Sequence, residues 1–241
     1  AFWRESLLPA TREMRVAKLF RPRAEWILDV IDEYRSDAAS VVSVGFHSDL
    51  LVAELVAQEG GLTDVVVANP VADIEFADSG IPRVEVRPMK VSRLHELDAA
   101  DVFLAFDLID RCADPNLLFD QARRVVASGG LLLATTTLGS GFDIQVLWEA
   151  AEGIYPPERL NLLSVEGLTT LVERHGFEVL EFSTPGMFDV ESVGNASAQG
   201  LPRFIRYLLE HRDDDAREAL QEFLQRFRLS SFGRVALRKK A

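Results

Sequence analysis

The chain of 241 residues predicts an α/β fold: a doubly wound, mostly parallel sheet, preceded by one helix and closed by a helical hairpin and a last strand. Three observations carry this. From Val41 onward, short apolar runs alternate with helical segments, the pattern of βαβ units with right-handed crossovers. The runs are apolar along most of their length, as in LLLATTT at 131–137, which suits parallel strands covered on both faces. VVSVGFHSDL at 41–50 passes from strand through a turn into a helix, the place where doubly wound enzymes seat a nucleotide-type cofactor.

The elements follow in order. PRAEWILDVIDEYR (22–35) predicts the first helix. Pro22 suits an opening turn, where an N–H would lack a partner anyway. Trp26, Ile27, Val30, Ile31 and Tyr34 then form one apolar stripe at helical spacing. VVSVG (41–45) is a strand, and SDLLVAELVAQEG (48–60) a helix with Ser48 as N-cap and Gly60 or Gly61 as its stop. LTDVVVA (62–68), PRVEVRP (82–88) and DVFLAFD (101–107) are strands. PNLLFDQARRVVASGG (115–130) reads as a helix ending in glycines, and LLLATTT (131–137) as the fifth strand. VEGLTTLVERHG (165–176) is an amphipathic helix closed by Gly176, followed by the strand FEVLEFST (177–184). Residues 185–200 read as a loop. LPRFIRYLLEH (201–211) and DAREALQEFLQRF (215–227) form a hairpin of helices. FGRVALRKK (232–240) is the last strand, with a basic end that suits a sheet margin. The expected organisation is an N-terminal helical extension (1–40), a core (41–184), a loop and hairpin insertion (185–230) and a closing strand (231–241).

The length allows one large domain with its own core. With 48% hydrophobic and 27% charged residues, the composition is that of a globular protein. The net charge of −12 and pI of about 4.8 disfavour docking on nucleic acid or anionic lipid. No run reaches the ~18 apolar residues that a membrane span needs. Cys112 is the single cysteine, which excludes an internal disulfide and a CxxC zinc site and fits a reducing, cytoplasmic setting. AFWRESLLPATREMR lacks a basic start ahead of an apolar core, so it does not read as a signal peptide. The absent initiator methionine and abrupt start predict a piece of a longer chain. His95 and His175 are expected at the surface or its boundary, and His211 at a helix end. No HxH or HExxH spacing offers a metal site.

FLAFDLIDRCADPNLLFDQARRVVASGGLLLATTT (103–137) and YPPERLNLLSVEGLTTLVERHGFEVLEFSTPG (155–186) carry a resemblance that spans most of the chain. With them the sequence resembles class I S-adenosylmethionine-dependent methyltransferases. The first stretch is similar to that family's acidic loop after the fourth strand, its following helix and its Gly-Gly turn into the fifth strand. The second, together with TPGMFDVESVGNA and LQEFLQRFRLSSFGRVALRK, resembles a bacterial subgroup with a Pro-Pro-Glu-x-x-Asn stretch. The resemblance implies a methyltransferase-like Rossmann fold with a seven-stranded sheet whose last strand is antiparallel. It also implies S-adenosylmethionine across the C-terminal ends of strands one, two and four, and a small polar acceptor such as a sugar or a secondary metabolite.

The family's Gly-x-Gly-x-Gly turn falls on Gly45, His47 and Asp49, with Phe46 and Ser48 between them. Glycines there let a ligand approach the main chain and let the helix begin close to the strand, so His47 and Asp49 take up that space. Where the family places an acid for the ribose hydroxyls, this chain has Asn69. Loss of the charge weakens such a hydrogen bond by about tenfold in affinity. Asp107 keeps the acidic position after the fourth strand. Asp110, Arg111 and Arg159 are the candidate catalytic groups. The two arginines stand where the subgroup has histidines, which removes the near-neutral base. The pair could form an anion-binding mouth, or could neutralise Asp107, Asp110 and Glu158.

Two functions follow. One is a methyltransferase-like domain with lost or weakened cofactor binding, a pseudoenzyme that serves as a structural or protein-interaction module. Its partner would be another protein or another domain of a longer chain, met through Leu208, Leu209, Phe223, Leu224 and Phe227 of the hairpin. The alternative is an active S-adenosylmethionine-dependent methyltransferase. Phe46, Phe106 and Phe142 are candidates for filling the cofactor cleft in the first case.

Overall fold

The computed structural model describes residues 13–45, 48–58, 61–69, 83–151, 153–154, 158–196 and 200–240. Its strands are β1 (Ser40–Gly45), β2 (Asp64–Asn69), β3 (Val84–Pro88), β4 (Ala100–Phe106), β5 (Val126–Thr137), β6 (Phe177–Ser183) and β7 (Phe232–Lys239). They form one seven-stranded sheet in the order β3-β2-β1-β4-β5-β7-β6. β1 runs parallel to β2 and β4, and β2 to β3, while β6 and β7 are antiparallel. The order departs from β1 in both directions, the doubly wound arrangement. The helices are α1 (Arg21–Arg35), α2 (Ser48–Gln58), α3 (Pro115–Val125), α4 (Phe142–Leu147), α5 (Val165–Arg174), α6 (Asp189–Asn195), α7 (Arg203–His211) and α8 (Asp214–Arg226). Packing divides the chain into two compact units. One holds the chain up to Phe106 with Gln121–Leu133; the other holds Asp107–Asp120 with Ala134–Lys240.

In the first unit, α1 buries Ala24, Trp26, Ile27, Val30 and Ile31, the predicted stripe with Tyr34 at its edge. Val41, Val42 and Val44 of β1 and Val102, Phe103 and Leu104 of β4 are buried, as continuous apolar runs in a two-sided parallel sheet should be. Asp101 fixes where these two strands begin. Its carboxylate accepts from the N–H groups of Ala39 and Ser40 at 3.0 and 3.2 Å and from the Ser40 hydroxyl at 2.8 Å. Arg35, at the end of α1, closes an ion pair with it at 2.7 Å. Burial pulls the Asp101 carboxyl upward, but the hydrogen bonds from Ala39, Ser40 and Arg35 outweigh it and hold the pKa at about 2.

In the second unit, Ser164 caps α5 by accepting from the Gly167 N–H at 3.0 Å. Leu168, Leu171 and Val172 of that helix are buried. His175 is held at 2.8 Å by Asp120 and at 3.2 Å by Asn116, and its ring stacks on Phe119. Asp189, 3% exposed, ties α6 to α8 and to the start of β7. It accepts from Gln221 Nε2 at 2.8 Å, the Ser230 hydroxyl at 2.7 Å and the Ser231 N–H at 2.7 Å.

Two readings of the sequence are corrected. The helix expected over 115–130 stops at Val125, and β5 starts at Val126. The β-branched pair Val125–Val126 favours the turnover to strand. The glycines serve the strand instead of capping the helix: Gly129 takes φ +67°, and a Cβ on Gly130 would lie 2.8 Å from the Asp101 carbonyl oxygen. Within the expected loop 185–200, the structure forms the short helix α6, anchored by Asp189 in its first turn. The helix expected over 48–60 is described to Gln58; residues 59–60 lie outside the described residues.

Asp101→Asn should lower stability by about 2 kcal/mol, the scale of hydrogen bonds to a charged group, measured by urea denaturation at neutral pH. A carboxylate whose folded pKa is depressed contributes stability that is complete above its unfolded value and is lost as pH falls through the folded one. The gap between the two proteins should therefore close as pH drops from 3.8 towards about 2.

Candidate functional site

The predicted residues of the first unit stand at the C-terminal ends of its strands. Gly45 is the last residue of β1, in register with Phe106 of β4. Its φ of +144° is one that side-chain-bearing residues rarely adopt, so the first glycine of the turn is required by the backbone. Asp49 lies in the first turn of α2 and Asn69 is the last residue of β2, opposite Pro88 of β3. Phe46 and His47 lie outside the described residues. Phe106 is buried and packs at 6.0 Å against Trp26, with the Arg23 guanidinium 5.4 Å from its ring. Phe142 opens α4 in the second unit and donates its N–H to the Leu229 carbonyl at 2.7 Å.

The second unit brings the remaining candidates together. Asp107 leaves the end of β4 at φ +51°, a left-handed conformation that costs a non-glycine residue of order 1 kcal/mol. Thr135 holds it there from β5. The Asp107 N–H donates to the Thr135 carbonyl at 3.0 Å and to its hydroxyl oxygen at 3.1 Å, and the hydroxyl donates to Asp107 Oδ1 at 2.9 Å. Directly after Asp107 the loop turns inward and buries Leu108, Ile109 and Asp110.

Asp110 is 0% exposed. Its Oδ2 is met by Arg159 Nη1, which also donates to the Thr137 hydroxyl at the end of β5. Burial raises the Asp110 pKa above its ordinary value, and the Arg159 charge opposes that rise without cancelling it. Arg111, next in sequence, pairs with Glu158 at 3.0 Å. The backbone joins the same two segments: the N–H groups of Leu160 and Asn161 donate to the Asp110 carbonyl at 2.7 and 3.1 Å. Asn161 Nδ2 donates to the carbonyls of Cys112 at 2.6 Å and Ile109 at 3.2 Å. The loop after β4 is thus clamped to residues 158–161 by two ion pairs and four hydrogen bonds from Leu160 and Asn161. Burial pushes the Cys112 thiol up to about 12, so it is a packing residue and not a nucleophile.

Chemically, this cluster holds shape. Each arginine is bound to a carboxylate, the neutralising arrangement of the two that the sequence left open. Sequence reading placed Asn161 in the Pro-Pro-Glu-x-x-Asn stretch but missed Thr135 and Thr137 as participants. The signal was present in a polar TTT ending an apolar strand. Elsewhere in this unit, a cavity of about 390 Å³ is lined by Met187, Val190, Glu191, Leu209, Asp214 and Glu218, among others, and takes in none of the candidate residues. Among the described residues no cluster of His, Cys, Asp and Glu is placed to hold a metal ion. No described helix is long and apolar enough to cross a membrane.

Comparison with known proteins places these features in context. Residues 16–182 match a family described as a methyltransferase domain. No curated protein matches by sequence. Among solved structures, the plantazolicin methyltransferase BamL, in complex with a triazolic desmethylPZN analog and SAH, has a TM-score of 0.61 at 12% identity, covering 100% of this chain and 93% of that one. A SAM-dependent methyltransferase from Archaeoglobus fulgidus has a TM-score of 0.59 at 13% identity, covering 91% and 94%. The [4+2]-cyclase SpnF has a TM-score of 0.57 at 16% identity, covering 89% and 80%. At these identities the likeness is one of fold.

Arg159→Met should destabilise the chain by about 3 kcal/mol, because it strands a buried carboxylate. Combining it with Asp110→Leu should recover most of the loss. A double-mutant cycle in urea denaturation checks this; additive single effects would show that the pair is not coupled.

Proposed function

We propose, for a chain that belongs to the methyltransferase domain family, a methyltransferase-like domain with weakened hold on S-adenosylmethionine that serves as a structural or protein-interaction module. The observation that carries the reading is the Asp110–Arg159 pair. The acid that could take a proton from an acceptor is buried and bound, and the guanidinium that could grip an anionic substrate is spent on it and on Thr137. Arg111 and Glu158 are likewise committed to each other.

The residues present fit the cofactor only in part. Gly45 keeps its glycine-only backbone, and Asp107 keeps the acidic position. In sequence, His47 and Asp49 stand where the family's turn has glycines, and Asn69 where it has an acid. SpnF, a cyclase on this fold, illustrates that the architecture is not bound to one chemistry.

Gly45 and Asp107 favour a second reading, an active S-adenosylmethionine-dependent methyltransferase acting on a small polar acceptor. Methyl transfer rests on alignment more than on a strong base, so clamped carboxylates do not forbid it.

Calorimetric titration separates the two. The chain should show no saturable heat with S-adenosylmethionine or S-adenosylhomocysteine below the millimolar range. His47→Gly with Asp49→Gly and Asn69→Asp should then tighten binding by about tenfold or more. Micromolar binding by the unaltered chain, lost on Gly45→Leu, would overturn the proposal in favour of the enzyme.

A further inference from the structure

We propose that the cavity between α6 and the α7–α8 hairpin binds a small aliphatic amine that carries two separated ammonium groups. Its volume of about 390 Å³ lies within the ~300–1,000 Å³ of small-ligand pockets, and clefts between helices are among the places where such sites form. Val190 and Glu191 of α6, Leu209 of α7 and Glu218 of α8 line it. The sequence pointed to Leu208, Leu209 and Leu224 as partner-facing residues. The structure redistributes them: Leu224 is buried, Leu208 is half-buried, and Leu209 forms part of the cavity wall.

The polar groups of the lining fall into two sets. The first is committed to the protein. Gln221 accepts from the Val190 N–H at 3.0 Å and donates to the Gly186 carbonyl and to Asp189 Oδ2, both at 2.8 Å. Arg217 pairs with Asp214 at 3.2 Å and donates to the Leu209 carbonyl at 2.6 Å. These bonds hold the walls in place. The second set is open: the side chains of Glu191, Asn195 and Glu218 make no hydrogen bond or ion pair among the described residues.

The charge left over is negative. Three carboxylates line the cavity against one guanidinium. That guanidinium is already paired with Asp214, which leaves Glu191 and Glu218, one from each of two helices. A cleft lined by one sign of charge with low-dielectric walls concentrates ions of the opposite sign, and the net charge of −12 acts in the same direction. An anion is therefore repelled. Glu191, Asp214 and Glu218 are not placed to hold a metal ion together, so the cation that fits is an extended organic one. No described aromatic ring lines the cavity, so it offers no cage for a quaternary ammonium. Primary ammonium groups, with three donors each, match two carboxylates and the Asn195 amide oxygen. The methylenes between them have Val190 and Leu209 as apolar neighbours.

The cavity shares no residue with the Asp110–Arg159 cluster, so this site and the cofactor reading above fail independently. Titration of the full isotope-labelled chain with 1,4-diaminobutane and 1,6-diaminohexane, followed by amide chemical shifts, tests it. At least one should saturate with a Kd of about 1 mM or tighter, the scale for so small a ligand, with shifts gathered at Gly194, Asn195 and Leu209. The diols of the same lengths should not saturate, and the monoamines should bind about fivefold more weakly, for want of one ion pair. Glu191→Gln and Glu218→Gln should each weaken binding by about fivefold. Glu222→Gln, which alters an exposed carboxylate of α8 outside the cavity, should leave it unchanged. Gly194→Leu should abolish binding and keep the thermal transition: a Cβ there meets Leu209 Cδ2 at an ordinary 3.8 Å, and the rest of the side chain takes up cavity space. No saturation by either diamine at about ten times that concentration overturns the proposal. So does binding that Glu191→Gln and Glu218→Gln leave intact, an equal loss in Glu222→Gln, or shifts that gather elsewhere.

Discussion

A carboxylate with no path to water has to be answered from within the protein, and Asp110 is answered by Arg159. The burial of one charge dictates the placement of the other, and with it the position of residues 158–161. Those residues in turn bind the main chain on either side of Asp110. The ion pair, Thr137 at the tip of β5 and Asn161 therefore form one unit, in which loss of any member leaves a desolvated polar group behind. Its cost is large, and its net gain over an apolar core is small. Such an arrangement makes more sense as a specification of loop shape than as a source of stability.

The same device recurs at two other places. Asp101 receives donors from the entry to β1 and from α1, and Asp189 receives them from α8 and the entry to β7. Asp101 gathers two backbone N–H groups and two side-chain donors, and Asp189 one backbone N–H and two side-chain donors, each where chain segments meet. The apolar runs supply the driving force for the sheet, but they do not say where a strand begins. These aspartates do.

The central strands were legible in the sequence because buried parallel strands read as uninterrupted apolar runs, as in β1, β2, β4 and the second half of β5, while β6 was read from its alternation. The end of α3 was misread because a Gly-Gly pair looks like a helix stop until the packing against Asp101 is known. α6 was hidden because DVESVGN contains glycine and asparagine and has too few residues to display a period; its anchor is a contact with Ser230 and Ser231, far along the chain. The loop after β4 was recognised as a cluster of Asp107, Asp110 and Arg111. Neutralisation of Asp110 stood in the sequence only as one of two alternatives, because sequence gives no distance between residues forty-nine positions apart, and Arg159 is the arginine that meets it. Thr135 was passed over for the same reason: its hydroxyl matters only because Asp107 turns back on it.

Asp189 has a consequence for how this chain can vary over generations. One of its three donors is Gln221 in α8, and the others lie at the threshold of the sheet's antiparallel strand. A deletion that removed the hairpin would leave that carboxylate, 3% exposed, short of a donor and would unmoor the start of β7. Drift can repaint the outer surface of the two helices at little expense, but it cannot discard them. The hairpin is thus an appendage in outline and a keystone in attachment, free to change allegiance yet not free to disappear.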